Sequence, residues 1–145
     1  MIAAAAKAFS FLEPAPAQRL FAHCREREFA AGETLMAAGQ EADWLGFVLS
    51  GKLVVKFESS FPGRFILLAE IETGGLVGEG ALLAAEKHRT MVVAEEDSRL
   101  LVINRPELLA LMTEDPSLAL ELQNRVIKVL RRRLHGAGER LAWIL

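Results

Sequence analysis

The sequence predicts a mainly β protein: a β-roll of short strands, with a helical stretch before it and a long amphipathic helix after it. Three observations predict this. Between about Arg27 and Asn104, short apolar runs alternate with glycine-bearing turns, at the spacing of roughly 8–12 residues found in sandwiches and barrels, whose closure protects strand edges. Before that stretch, Leu20, Phe21 and Cys24 fall on one helical face. After it, apolar residues recur at steps of three and four from Leu118 to Ile144, the period of a helix with one apolar stripe.

The elements follow in order. Phe9 to about Cys24 is expected to be helical, with Pro14 and Pro16 able to occupy a helix start. Ala31-Gly32-Glu33 and Ala38-Gly39-Gln40 bracket a strand at Thr34-Leu35-Met36. Trp44 to Leu49 reads as a buried strand ended by Ser50-Gly51, and Lys52 to Phe57 follows with Leu53, Val55 and Phe57 on one face. After a turn from Ser59 to Gly63, the strand Arg64 to Ile71 places Phe65, Leu67, Ala69 and Ile71 in phase. Gly74-Gly75 punctuates the chain. Met91-Val92-Val93 and Leu100 to Ile103 are the last strands, joined by a polar turn from Glu95 to Ser98.

Asn104-Arg105-Pro106 opens a short helix through Met112, and Asp115-Pro116 opens the long one. Its stripe comprises Leu118, Leu122, Val126, Val129, Leu130, Leu134, Ala137, Leu141 and Ile144. Unbroken, it would run about 43 Å. Gly136 and Gly138 each cost roughly 1 kcal/mol against alanine inside a helix, so a break there is the alternative.

A chain of 145 residues fits one domain with a helical appendage. The expected division is a roll with flanking short helices over 1–115 and a dimerisation helix over 116–145. Hydrophobic residues make up 52% and charged residues 25%, with a net charge of −2. No global field demands nucleic acid or an anionic membrane. The single cysteine, Cys24, excludes an internal disulfide and cysteine-held zinc or iron–sulfur sites. It fits a reducing compartment, so a cytoplasmic protein is expected. Met1 to Lys7 is too short for a signal-peptide core, and no apolar run approaches the roughly 18 residues of a membrane span.

One segment carries chemistry. From Leu76 to Ala94, Gly78 precedes the carboxylate Glu79, a helix-forming run follows, and Lys87-His88-Arg89 lies about ten residues on, directly before a strand. Backbone N–H groups at the start of a short helix from Gly80 would face an anion, and Gly78 would allow close backbone approach. Glu79 would accept a hydrogen bond from a sugar hydroxyl. Arg89 would fork onto two phosphate oxygens. The layout suits a small sugar-phosphate.

These residues resemble the cyclic nucleotide-binding domain of the catabolite-activator (Crp/Fnr) type of regulators, and the resemblance covers nearly the whole chain. Phe11-Leu12 looks like the family's opening. Ala31-Gly32-Glu33-Thr34-Leu35, Gly39, and Gly46 to Leu53 resemble its glycine-punctuated first half. Gly78-Glu79-Gly80-Ala81-Leu82-Leu83 resembles its phosphate-binding cassette, and Leu130 to Leu141 its central helix. The fold so implied is a double-stranded β-helix (jelly-roll β-roll) with N-terminal helices and a long C-terminal dimerisation helix. The function implied is sensing of a cAMP- or cGMP-like ligand within a signalling or transcription regulator, as a homodimer, without catalysis.

By the same resemblance, Glu79 would bind the ribose 2′-hydroxyl. The backbone of Gly78, Gly80, Ala81 and Leu82 would hold the cyclic phosphate, and Arg89 would neutralise it. Counting back from Ala94 instead puts His88 at the arginine position, while counting forward from Glu79 puts Arg89 there. Both stand as candidates, with Thr90 beside them. A hydroxyl pair that touches the base in one branch of the family falls at Ala137 and Gly138. The regulators continue into a helix-turn-helix DNA-binding domain. The resemblance therefore implies a stand-alone sensor, or one whose DNA reader lies outside these 145 residues, with no DNA contact from this chain itself.

Other readings compete. A ligand-free interaction domain of the same fold would have a degenerate pocket. A metal-dependent jelly-roll enzyme would need histidines converging with a carboxylate, yet His23, His88 and His135 lie in three separate stretches. There is no nucleophile elbow and no Walker loop. Lys128, Arg131, Arg132 and Arg133 read as a solvated helix face, and Cys24 as inert core.

Overall fold

A computed structural model describes residues 3–83 and 87–144. Eight strands form two four-stranded antiparallel sheets. The first has the order β1-β8-β3-β6, from β1 (Arg25–Phe29), β8 (Ser98–Asn104), β3 (Trp44–Ser50) and β6 (Leu76–Val77). The second has the order β2-β7-β4-β5, from β2 (Thr34–Met36), β7 (Met91–Ala94), β4 (Leu53–Glu58) and β5 (Phe65–Ile71). The architecture is the expected jelly-roll β-roll, with helices α1 (Ala3–Ala8) and α2 (Pro14–Ala22) before it and α3 (Arg105–Glu114) and α4 (Pro116–Ile144) after it.

Two core layers explain why β3 reads as an unbroken apolar run. Trp44 and Val48 point between the sheets, toward Leu53, Val55, Val92 and Ala94. Leu45, Phe47 and Leu49 point the other way, under the helices. A strand covered on both faces has no reason to alternate with polar residues. The Phe9 ring meets Phe47 edge-on at 4.8 Å, fixing the N-terminal segment to the sheet.

Several expectations need correction. The first expected helix begins at Pro14 rather than Phe9, because the prolines occupy its first turn. The alanine-rich α1 was not anticipated; it buries Ala5 and Ala8, small residues that carry little periodic signal. The two-residue β6, which pairs with Gly46 and Phe47 of β3, is too short to show a period. Phe65 and Leu67 share no buried face with Ala69 and Ile71, since both are exposed. The register slips between Val55 and Lys56, and β7 pairs β4 only over Leu53 to Lys56. The outer end of the β4–β5 hairpin therefore runs past β7, and Phe57, Phe65, Ile66 and Leu67 on it are exposed. The helix-forming run after the cassette includes residues 84–86, outside the described residues.

The long helix starts where Asp115-Pro116 places it. The Asp115 carboxylate accepts the Leu118 N–H at 3.1 Å and meets the Arg19 guanidinium at 2.7 Å, a side-chain cap that also ties α2 to α4. Those two donors, Leu118 first, hold its carboxyl below the usual aspartate range. Gly136 and Gly138 do not interrupt α4. Its stripe, however, divides in two. Leu118, Leu122, Val126 and Val129 are buried in the helical core layer. Leu130, Leu134, Leu141 and Ile144 are exposed, Leu134 at 75%, together with Leu120 and Ile127. The exposed residues 120, 127, 134 and 141, with 130 and 144 and the half-buried Ala137 between those two, repeat every seven residues, the a and d positions of a heptad seam. No helix among the described residues is long and apolar enough to cross a membrane. Cys24 packs part-buried against the helices, its thiol donating to the Leu20 carbonyl at 3.3 Å. Burial first, and Glu107 second, push that thiol up to about 12.

Candidate functional site

A cavity of about 550 Å³ opens between the end of β6, the segment entering β7, and α4. Its first rim begins at Gly78, whose backbone is left-handed (φ 80°, ψ 26°). A Cβ there would lie 2.3 Å from the Trp44 carbonyl oxygen, so the position requires glycine on conformational and steric grounds together. The chain then makes a single 3₁₀ turn, Glu79–Leu82, rather than a helix starting at Gly80. Ala81 is fully buried and does not line the cavity; its N–H is taken by the Gly78 carbonyl at 3.0 Å. Gly78, Glu79, Gly80 and Leu82 do line it. The expected backbone cradle is thus kept in part, with Ala81 serving as the anchor beneath the turn.

Glu79 projects toward α4. Its Oε2 lies 3.7 Å from Nη1 of Arg133, with the two side chains 31% and 20% exposed. Arg133 also donates through Nη2 to the Leu76 carbonyl. Burial lowers the Arg133 pKa from its ordinary value, Glu79 opposes that shift, and Arg132 adds to it. The sequence reading placed Arg133 on a solvated face, and the structure places it in the cavity wall. A signal was present: Leu122, Val126, Val129 and Arg133 follow one another at steps of four, three and four, so Arg133 continues the buried face. Ala137 and Gly138, expected at the base-reading position, do not line the cavity; α4 contributes Gln123, Val126, Ile127, Leu130 and Arg133.

The second rim carries His88, Arg89 and Thr90, all lining the same cavity. Backbone bonds fix its path: His88 N–H donates to the Gln40 carbonyl and Gly39 N–H to the His88 carbonyl, each at 2.8 Å. Lys87 bridges Glu41 in an isolated β-pairing. Arg89 is exposed, and among the described residues its guanidinium has no hydrogen-bond or ion-pair partner. His88 is half-buried. Burial lowers its pKa from the ordinary 6.5, with Asp43 and then Glu79 pulling the other way. His88 is therefore mainly neutral at pH 7, and Arg89 and Lys87, which also lines the cavity, are the cations of this rim.

Between the rims the walls are apolar, from Met36, Val55, Val77, Val92 and Leu130. An acidic acceptor, an exposed guanidinium and apolar walls lining one cavity suit a ligand with a hydroxylated sugar, an anion and an aromatic base. Ile127 and Leu130 both line the cavity and lie on the exposed heptad face of α4.

Comparison with known proteins agrees with this chemistry. The cyclic nucleotide-binding domain family matches residues 26–115. The cyclic AMP receptor protein of Thermus thermophilus is 30% identical over 129 residues, covering 89% of this chain and 57% of that protein. The cAMP-activated global transcriptional regulator Vfr of Pseudomonas aeruginosa is 23% identical over 125 residues, covering 83% of this chain and 58% of that protein. The chain thus spans less than three-fifths of either relative's length. A solved cyclic nucleotide-binding domain from Methylobacillus flagellatus superposes with a TM-score of 0.85 at 16% identity, covering 97% of this chain and 84% of that one, a likeness of fold. With the family pattern spanning both rims of the cavity, this chain belongs to the cyclic nucleotide-binding domain family.

Proposed function

We propose that this chain is a cyclic nucleotide sensor for a cAMP- or cGMP-like ligand, acting within a signalling or transcription regulator. The observation that carries the reading is that Glu79 and Arg89, ten positions apart in the sequence, line one cavity of about 550 Å³. Glu79 accepts the ribose 2′-hydroxyl. Arg89 pairs with the cyclic phosphate, helped by the backbone of Gly78, Gly80 and Leu82 and by Thr90. The base lies against Val92, Ile127 and Leu130. An open cavity and an exposed Arg89 with no partner among the described residues both favour a working site over a degenerate one.

In this reading residues 1–115 hold the sugar-phosphate, and residues 116–145 close the cavity and transmit its occupancy. The exposed heptad face of α4, with Leu120, Ile127, Leu130, Leu134, Leu141 and Ile144, pairs with the same face of a second copy. Because Ile127 and Leu130 belong to both cavity and seam, a ligand that contacts them shifts the balance between seam geometries.

Titration calorimetry with cAMP and cGMP, with 5′-AMP as control, tests the ligand. Saturable heat with a cyclic nucleotide supports the reading; no heat and no thermal shift at millimolar ligand reject it. For the seam, Leu134→Glu introduces a charge that a packed interface does not tolerate. Light scattering is expected to report a dimer for the wild type and a monomer for the variant. A dimeric variant removes the seam.

A further inference from the structure

A second cleft, of about 490 Å³, lies between α1, the 72–75 turn and α4. Lys7 of α1, Ser10 in the turn after it, Thr73, and Arg125 and Arg132 of α4 converge on it. The aliphatic stem of Lys7 rests beside Gly74, at 3.5 Å from where a Cβ would stand. Arg133 and Arg140 also line it, but each donates to a main-chain carbonyl, of Leu76 and Leu68. Among the described residues no carboxylate pairs with Lys7, Arg125 or Arg132. Arg125 is half-buried, with its guanidinium 5.9 Å from the Phe11 ring centroid.

A half-buried guanidinium without an anion is costly, and a second one on the same face adds repulsion. Burial and Arg132 both lower the Arg125 pKa from its ordinary value. Two carboxylates share the lining. Glu70 is engaged by Lys52 at 3.3 Å, while Glu72 also faces the neighbouring groove beside Lys52. The cationic excess, the hydroxyls of Ser10 and Thr73 and the concave shape are the makings of an oxyanion site. Arg125 and Arg132 are two helical turns apart, about 10.5 Å along the axis. Together with Lys7, cations rooted at that spacing offer a chain of linked phosphates more ion pairs than a single phosphate does.

We propose that this cleft binds a compact polyphosphate through Lys7, Arg125 and Arg132, independently of the nucleotide cavity. The chemistry is a phosphoanhydride chain, free or carried by a nucleoside. Inorganic tripolyphosphate and ATP, titrated calorimetrically at 150 mM NaCl, separate the two sources: tighter binding of tripolyphosphate assigns the free chain, tighter binding of ATP the nucleoside-borne one. Arg132→Gln, at an exposed position that does not threaten folding, and Arg125→Gln are each expected to weaken binding at least tenfold. Glu72→Gln is expected to tighten it. Arg89→Leu is expected to leave it unchanged, which separates this cleft from the nucleotide cavity. Lys128→Gln and Arg131→Gln, which share a neighbouring groove with Arg125 and Arg132 but do not line this cleft, are expected to change it less than twofold. Absence of saturable binding, equal losses in all four helix variants, a loss in Arg89→Leu, or tighter binding of duplex DNA through the same arginines would each overturn the proposal.

Discussion

Gly78-Glu79-Gly80 and His88-Arg89-Thr90 line the same cavity but are built differently. The first rim is held from below and from the side. Gly78 is wedged against the Trp44 carbonyl, Ala81 is fully buried, and Glu79 faces a guanidinium that is itself bonded to Leu76. The second rim is fixed through its backbone, by the Gly39 and Gln40 bonds, and leaves its chief cation exposed. The difference separates two tasks. The first rim sets shape and is coupled to folding. The second supplies charge and is nearly free of it, so substitutions on the two rims are expected to register in different measurements.

The largest effect belongs to the open rim and to affinity. Arg89→Leu removes the cation from a charge-assisted pair with the phosphate, a loss of about 2–5 kcal/mol in binding. Stability is expected to stay within about ±0.5 kcal/mol, because the side chain is exposed. Calorimetry beside thermal melting reads both, and an unchanged dissociation constant would move the phosphate to His88. Gly78→Ala inverts that pattern. A methyl group in left-handed backbone, aimed at a carbonyl oxygen, is expected to destabilise the fold by about 2–4 kcal/mol. A melting temperature equal to wild type would show that the first rim yields, and the contrast between rims would fail. Arg133→Gln is milder, at about 1 kcal/mol of stability, since its partner at 3.7 Å remains partly solvated. Its diagnostic is the ligand. Affinity for cAMP is expected to fall more than affinity for 2′-deoxy-cAMP, because Glu79 loses the side chain that orients it toward the ribose. Equal losses would make Arg133 a structural residue only.

The sequence made the second rim and Glu79 legible because the motif is local: a glycine, a carboxylate and a cation within a dozen positions. The roll was legible because turn glycines bracket β2, β3 and β4. What escaped has a common cause in long-range packing. Arg133 is 54 positions from Glu79 in the numbering, and only the inward phase of Leu122, Val126 and Val129 pointed to it. That phase was hidden because a second apolar set, Leu120, Ile127, Leu134 and Leu141, interleaves with it on α4. A single stripe drawn through both rotates Arg133 out to solvent. The cavity meets α4 a turn earlier than Ala137 and Gly138. Phe65 and Leu67 show the converse error, since alternation fixes which face a residue takes but not whether anything covers that face.

His88 gives the smallest effect and the sharpest test of whether the second rim is electrostatically simple. Burial lowers its pKa below 6.5 in the free protein, while Asp43 and Glu79 partly restore it. For folding the sign is that of a depressed basic group: the native state binds fewer protons than the unfolded chain. Its contribution is full above about pH 6.5 and declines as pH falls below that value. For ligand binding the sign reverses. A phosphate beside the imidazole favours its protonated form, so the complex takes up a proton that the free site resists. The affinity of the wild type is expected to rise by about fivefold between pH 7.5 and 5.5, equivalent to roughly 1 kcal/mol, while the free protein loses stability over the same interval. His88→Gln is expected to flatten the affinity profile and leave Arg89 to bind with constant strength. Dissociation constants for both proteins at pH 7.5, 6.5 and 5.5 decide it. Parallel profiles would place His88 outside the ligand's reach and leave the phosphate to Arg89.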